Sequence, residues 1–418
     1  MEKSDKRMKI NRLFSLTTAC LLIILLCLPI FQMSLHIFPD LKSQENRILA
    51  TPPELKLATL SGLWKYIQDY QNYFNDNFGF RNVFIRINSF INLKIFGVSP
   101  TPLPDIVAGK EGWLFYNIPN DGSSLDDYYG LAGFDLHRLS AIKQNMIRLR
   151  RELASRNLLL ILAIAPSKHT VYEEYLPTRV AMLKGNLSRV DQLRSVWGED
   201  DTYASFIDAR RLLAAAKKET KYPLYYKTDT HWNNLGAFLF YSEIMKEVKA
   251  RYPKVEALTL SDFSLSSTQV AGRDLAEMMN MASLMSDTEV TLKPLRPSVA
   301  KHSNAPYAFR TAIRSEIRDN KGPHVMAFGD SFLAYLIPYL SESFSRGLYL
   351  ASPLMIDFSV IDEEKPNVVI VELAERYAGS LKIGWSNTSS QNQDRAQRWV
   401  FPPPSGNGGL SDSLNSGH

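Results

Sequence analysis

Leu158-Leu159-Leu160-Ile161-Leu162-Ala163-Ile164-Ala165-Pro166 is an unbroken apolar run of eight residues closed by a proline. A strand with one face in water alternates apolar and polar residues. A run without alternation fits a strand buried on both faces, as in a parallel sheet covered by helices. Just before it, Leu139, Ile142, Met146, Leu149 and Leu153 recur every three or four residues within Leu136–Asn157, the stripe of an amphipathic helix. Further short apolar runs stand at Phe206–Ile207, Val325–Phe328, Leu348–Leu350 and Val368–Leu373, with helical stretches expected at Ala209–Lys218, Asn234–Lys249 and Phe332–Phe344. Strands alternating with helices predict a layered α/β domain on a mainly parallel sheet. No internal repeat is visible.

The 418 residues leave room for one large domain or two ordinary ones, and 45% hydrophobic with 22% charged residues is a globular composition. The net charge of +5 is mild. Its densest basic clusters, the N-terminus and Arg148–Arg151, have no stacking aromatics between them, which argues against a nucleic-acid partner. From Leu13 to Pro39 there is no charged residue, a run long enough to span a bilayer as a helix. Lys3, Lys6, Arg7, Lys9 and Arg12 precede it, against Glu2 and Asp5. The positive-inside rule keeps that end in the cytoplasm and sends the rest across. The expectation is a single-pass signal anchor in the inner membrane with the bulk of the chain in the periplasm; a cleaved signal peptide has a similar layout, but no small-residue cleavage pattern is evident. Cys20 and Cys27 both lie in the apolar span, so the exported part has no disulfide, thiolate nucleophile or zinc–thiolate site.

These readings divide the chain into a cytoplasmic N-terminus (1–12), a transmembrane anchor (13–38), a helical connector (39–105), a catalytic domain (106–380) and a tail (381–418). Within the connector, Asp40–Lys56 carries the breakers Pro52 and Pro53, and Leu60–Phe96 reads as helical with an interruption at Phe78-Gly79. Three prolines in Ser99–Asp105 mark the next boundary. The tail from Trp385 on is rich in Ser, Asn, Gln, Gly and Pro, and is expected to be disordered.

Two segments carry chemistry. In Val325-Met326-Ala327-Phe328-Gly329-Asp330-Ser331-Phe332 an apolar strand enters a glycine turn, with a serine where a helix is expected to start. Ligands collect at the carboxyl ends of strands in open α/β sheets, and an amide at such a turn is placed to hold an oxyanion. Taken alone, Gly-Asp-Ser favours an ordinary turn with Ser331 as a helix cap. In Thr228-Asp229-Thr230-His231-Trp232 a carboxylate and an imidazole stand two residues apart. A serine hydroxyl needs a base, and the base needs a carboxylate to fix its tautomer. A structural histidine beside a helix-capping Asp229 is the competing reading. No second histidine at ligand spacing supports a metal.

Together the two segments resemble the SGNH hydrolases, but with Asp-x-His ahead of the serine by about a hundred residues, which suggests a circularly permuted order. That order resembles the alginate O-acetyltransferase family (AlgJ and AlgX). The resemblance extends over Glu45-Asn46-Arg47, Tyr73 to Arg81, Gly109 to Tyr116, Pro166-Ser167-Lys168 with Tyr175-Leu176-Pro177, and Lys365 to Glu372 with Glu375-Arg376-Tyr377. It departs at Gly272-Arg273-Asp274-Leu275, where a Gly-Asp-Leu block is expected, and no sugar-binding module follows Tyr377. The resemblance implies a three-layer SGNH-like fold, with Ser331 as nucleophile, His231 as base and Asp229 as its orienting carboxylate. Lys168, which follows a strand end, Arg376 and Trp232 are candidates for contacting the oxyanion or substrate, with a solvated Lys168 and an internal Arg376–Glu372 ion pair as the competing readings. Trp232 is expected to pack against the His231 loop. Trp113 and Tyr116 read as sugar-stacking or core.

The implied reaction is double displacement through an acetyl-Ser331 intermediate onto hydroxyls of an exopolysaccharide, alginate or similar. No organic or metal cofactor is implied. The implied partners are a membrane-bound O-acyltransferase supplying acetyl groups and other proteins of an exopolysaccharide machine. Two alternatives stay open: an esterase with the same residues, and a non-catalytic scaffold.

Overall fold

The computed structural model describes residues 2–39, 49–55, 60–99, 106–117, 124–200, 203–307, 310–318, 320–351 and 358–380. The tail 381–418 and the proline-rich boundary at 100–105 lie outside the described residues. The chain divides into two compact units, Met1–Leu103 with Ala276–Leu284, and Pro104–Leu275 with Met285–His418.

The described residues of the first unit are mostly helical. One helix runs Glu2–Leu35, and its stretch Phe14–Leu35, 22 residues of mean hydropathy 2.5, is long and apolar enough to cross a membrane. Helices Leu60–Asn77 and Arg81–Phe90 follow, broken at Phe80, whose φ of 62° is left-handed and cannot continue a helix. A π-helical turn, Ile91–Phe96, ends at Gly97, also left-handed.

Among its described residues the second unit holds eleven strands: β1 (Ile106–Ala108), β2 (Leu114–Tyr116), β3 (Leu159–Ala165), β4 (Ala204–Asp208), β5 (Phe263–Ala271), β6 (Ser286–Pro294), β7 (Lys301–Tyr307), β8 (Arg310–Glu316), β9 (His324–Gly329), β10 (Arg346–Ala351) and β11 (Val368–Ala374). Seven form one sheet in the order β4-β3-β11-β9-β10-β8-β7. From β4 to β10 every pairing is parallel; β8 and β7 extend the sheet antiparallel. β3 and β11 are buried at all their positions, so both sheet faces are covered there. Helices Leu136–Ser155 and Asn234–Arg251 both pack on β3. The first buries Ile142, Met146, Leu149 and Leu153, four members of its apolar stripe. Each such side chain contributes roughly 1.5–3 kcal/mol on leaving water.

One expected helix differs. No α-helix spans Phe332–Phe344: Ser331 and Phe332 sit in a turn, a single 3₁₀ turn occupies Leu333–Tyr335, and the α-helix is Ile337–Ser343. Pro338 accounts for the late start, since proline lacks an N–H and fits only the first helical turn.

Candidate active site

The carboxyl end of β9 delivers Gly329, Asp330 and Ser331. A Cβ at Gly329 would lie 2.5 Å from the Leu333 Cβ and 2.7 Å from Glu372 Oε2, so the turn accepts no side chain there. The Asp330 carboxylate accepts from the amides of Phe332 (2.9 Å) and Ala374 (2.8 Å), while its own amide donates to Glu372 Oε2 (3.1 Å). The turn is thereby stapled to the end of β11. Glu372 is completely buried, and burial followed by the neighbouring Asp330 charge pushes its carboxyl well above the usual range.

The second segment is a tight loop closed by an antiparallel bridge between Tyr225 and Trp232. Asp287, on β6, accepts from the Lys227 and Thr228 amides at 2.9 and 2.6 Å and from the Thr228 hydroxyl at 2.6 Å. From the other side the Lys168 ammonium donates to the carbonyls of Tyr226 (3.0 Å), Lys227 (3.0 Å) and Asp229. The helix that follows the loop is capped by Asn233, whose side chain accepts from the Leu235 and Gly236 amides. Asp229 is therefore not the helix cap.

The two segments meet. His231 Nε2 lies 2.7 Å from Ser331 Oγ, and its Nδ1 lies 2.7 Å from Asp229 Oδ1, which also accepts from the His231 amide at 3.0 Å. A proton on Nδ1 toward the carboxylate leaves Nε2 to accept from the serine hydroxyl. Burial alone would raise the Asp229 carboxyl, but the charge and hydrogen bonds of His231, with the Lys168 ammonium nearby, hold it down at about 2.

The remaining candidates take other places. Lys168 is buried beneath the loop with its donors spent on backbone carbonyls, so it braces the loop rather than facing the cleft; burial pulls its ammonium down to about 8. Arg376 is buried with its guanidinium 5.3 Å from the Phe332 ring centre, 5.6 Å from Tyr116 and 4.8 Å from Tyr377. Trp232 is fully buried, edge-on to Phe332 at 5.0 Å and 4.9 Å from Phe240, and so packs the histidine loop against the residue after Ser331. Trp113 is core, stacked on Tyr172 and Tyr175 at 4.5 and 4.7 Å.

Sequence reasoning missed Asp287, Thr230 and Asp274. The only signal for Asp274 was the Gly272-Arg273-Asp274-Leu275 block itself, whose Arg273 and Leu275 amides both donate to Thr228. Asp229, His231 and Asp274 bring one ligand-capable atom each within 4.8 Å of one another. Asp229 and His231 already bond each other, and Asp274 accepts from Thr230 and Leu275, which makes the cluster a hydrogen-bond network.

Residues 106–352 match the family model described as an SGNH hydrolase-like domain, acetyltransferase AlgX. The probable alginate O-acetylase AlgJ of Pseudomonas aeruginosa is 29% identical over 140 residues, 32% of this chain and only 30% of that protein's length. The solved structure of Bacillus cereus PatB1 with a sulfonyl adduct covers 65% of this chain and 98% of its own, at 16% identity and a TM-score of 0.48. The O-acetyltransferase domain of Pseudomonas putida AlgJ covers 70% of this chain and 99% of its own, at 18% identity and a TM-score of 0.41.

Proposed function

Because this chain belongs to the SGNH hydrolase-like acetyltransferase family of AlgX, we propose that it O-acetylates an exopolysaccharide of the alginate type. The observation that carries the mechanism is the unbroken chain from Ser331 Oγ through His231 to Asp229, with both links at 2.7 Å. Ser331 is the nucleophile, His231 the general base and Asp229 the carboxylate that fixes the imidazole and stabilises its charged form. The order of these residues along the chain we read as a circular permutation of the SGNH arrangement.

In the first half-reaction Ser331 Oγ attacks the acetyl carbonyl of the donor as its proton passes to His231 Nε2. The tetrahedral intermediate collapses, the imidazolium protonates the leaving group, and acetyl-Ser331 remains. In the second, a sugar hydroxyl gives its proton to His231 and attacks the acetyl ester; the imidazolium returns a proton to Ser331 as it leaves. The developing oxyanion needs a donor. The amides of Asp330 and Phe332 are committed to carboxylates, which leaves the Ser331 amide as the donor within the turn.

The apolar helix Phe14–Leu35, with the basic residues before it in the sequence, supports an inner-membrane anchor and a periplasmic catalytic region over 106–380. That placement calls for a membrane-bound O-acyltransferase to supply acetyl groups from inside, alongside other proteins of the polymer machinery. The test is the fate of the acetyl group. Full-length protein in detergent, given p-nitrophenyl acetate and alginate oligosaccharide, should acetylate the oligosaccharide faster than it releases acetate. Release of acetate alone, unaffected by the oligosaccharide, would make the protein an esterase.

A further inference from the structure

Behind the Asp229–His231 pair stands a second carboxylate. Asp274 is contributed by the segment that follows β5 and lies forty-four residues from Thr230 in the chain. Its Oδ1 accepts from the Thr230 amide at 3.1 Å and from the Leu275 amide at 2.6 Å, and its Oδ2 accepts from the Thr230 hydroxyl at 3.0 Å. The Thr230 oxygen, in turn, lies 3.1 Å from His231 Nδ1. With the hydroxyl proton directed at Asp274, the only role left to Thr230 Oγ1 toward the imidazole is that of acceptor. The direction of every proton is then set: Ser331 to Nε2, Nδ1 to Asp229 and Thr230, Thr230 to Asp274.

We propose that Asp274 is a positioning residue for the acetyl-transfer reaction, acting through the Thr230 hydroxyl to hold His231 in its Nδ1–H tautomer and to add negative charge behind the imidazolium. The inference rests on the triad reading given above and deepens it. Its structural basis is one hydroxyl placed between two groups that cannot both be its acceptor, together with two amides that fix the carboxylate. A carboxylate whose only task was to satisfy the loop backbone would need neither the threonine hydroxyl nor that proton direction.

The charged groups that act most strongly on Asp274 are Asp229, His231 and Lys168. Burial, followed by the Asp229 charge, pushes the Asp274 carboxyl up to about 7, against the pull of His231 and Lys168. In its ionised form it adds negative charge beside the imidazolium. Removing that charge makes the imidazolium easier to deprotonate, so the acid limb of the rate profile should move to lower pH.

The experiment uses full-length protein in detergent, p-nitrophenyl acetate as donor, and the pH dependence of kcat/KM for Asp274→Asn, Thr230→Val and the double variant. Melting temperatures report the folded fraction of each. The outer partner of a metal-ligating histidine is worth roughly 10- to 100-fold; with Asp274 orienting His231 in the same way, each single variant should lose a similar amount per folded molecule. In Asp274→Asn the acid limb should fall by about half a pH unit or more. The double variant should be no worse than the weaker single one, because both act along one path. Rates per folded molecule within twofold of wild type and an unmoved acid limb would overturn the proposal, as would losses that multiply in the double variant. Ser331→Ala, run alongside, separates the two levels. Turnover surviving in Ser331→Ala overturns the triad; turnover lost there but intact in Asp274→Asn and Thr230→Val overturns this inference alone.

Discussion

Replacing Ser331 with alanine should lower acetyl transfer by about 10⁴-fold or more and leave stability unchanged to within about 1 kcal/mol. The two effects separate because of where the hydroxyl sits. Ser331 is half-buried at the mouth of the turn, and its Oγ is 2.7 Å from His231 Nε2. The turn itself is held by Asp330, Glu372 and the glycine at 329, none of which needs the hydroxyl. What the alanine removes is the one atom that, in the proposed mechanism, bonds to acetyl carbon. His231→Ala should cost nearly as much, and the double variant no more than either, since members of one proton path fail as a unit. Turnover on an acetyl ester and thermal melting of the same preparations check both halves.

The second large effect is expected at Lys168. Lys168→Met keeps the length and apolar stem but removes all donors, so the carbonyls of Tyr226, Lys227 and Asp229 lose a partner at once. It also removes the cation beside Asp229 and Asp274. Leaving buried groups unpaired in this way costs about 2–4 kcal/mol. Because the same loop carries His231, activity per folded molecule should drop about 100-fold. The ammonium is itself costly to bury. Its folded pKa near 8 lies below the ordinary lysine value of 10.5, so the unfolded chain binds the proton more tightly between those limits. Wild-type stability therefore gains from this group as pH rises from about 8 toward 10.5, and the methionine variant should lack that gain. Denaturant unfolding of both proteins at neutral and alkaline pH measures the difference.

The sequence made the parallel strands legible for a physical reason. β3, β9, β10 and β11 have both faces covered over most of their length, and a strand with no wet face has no polar positions to interrupt its apolar run. The antiparallel strands left no such trace. β5 is Phe-Ser-Leu-Ser-Ser-Thr-Gln-Val-Ala and mostly exposed, and β7 and β8 sit at the sheet edge with Lys, His, Arg, Ser and Glu among their residues. The site shows the same division. Asp229 and His231 are two apart and advertise each other, and Ser331 follows a glycine at a strand end. Asp287 bonds Thr228 across fifty-nine residues, and nothing local to either marks the pairing. Lys168 was visible as a cation after a strand, but its role depends on a loop that folds over it from 59 to 61 residues away.

The central claim is that the acetyl group passes through Ser331. Full-length protein mixed with p-nitrophenyl acetate, quenched in acid within one turnover and mapped by peptide mass spectrometry, tests it most directly. We expect one acetyl group on the peptide containing Ser331, absent from His231→Ala and discharged by added alginate oligosaccharide. An acetyl group found reproducibly on another residue, or turnover with no acetyl-enzyme while Ser331→Ala remains active, would contradict it.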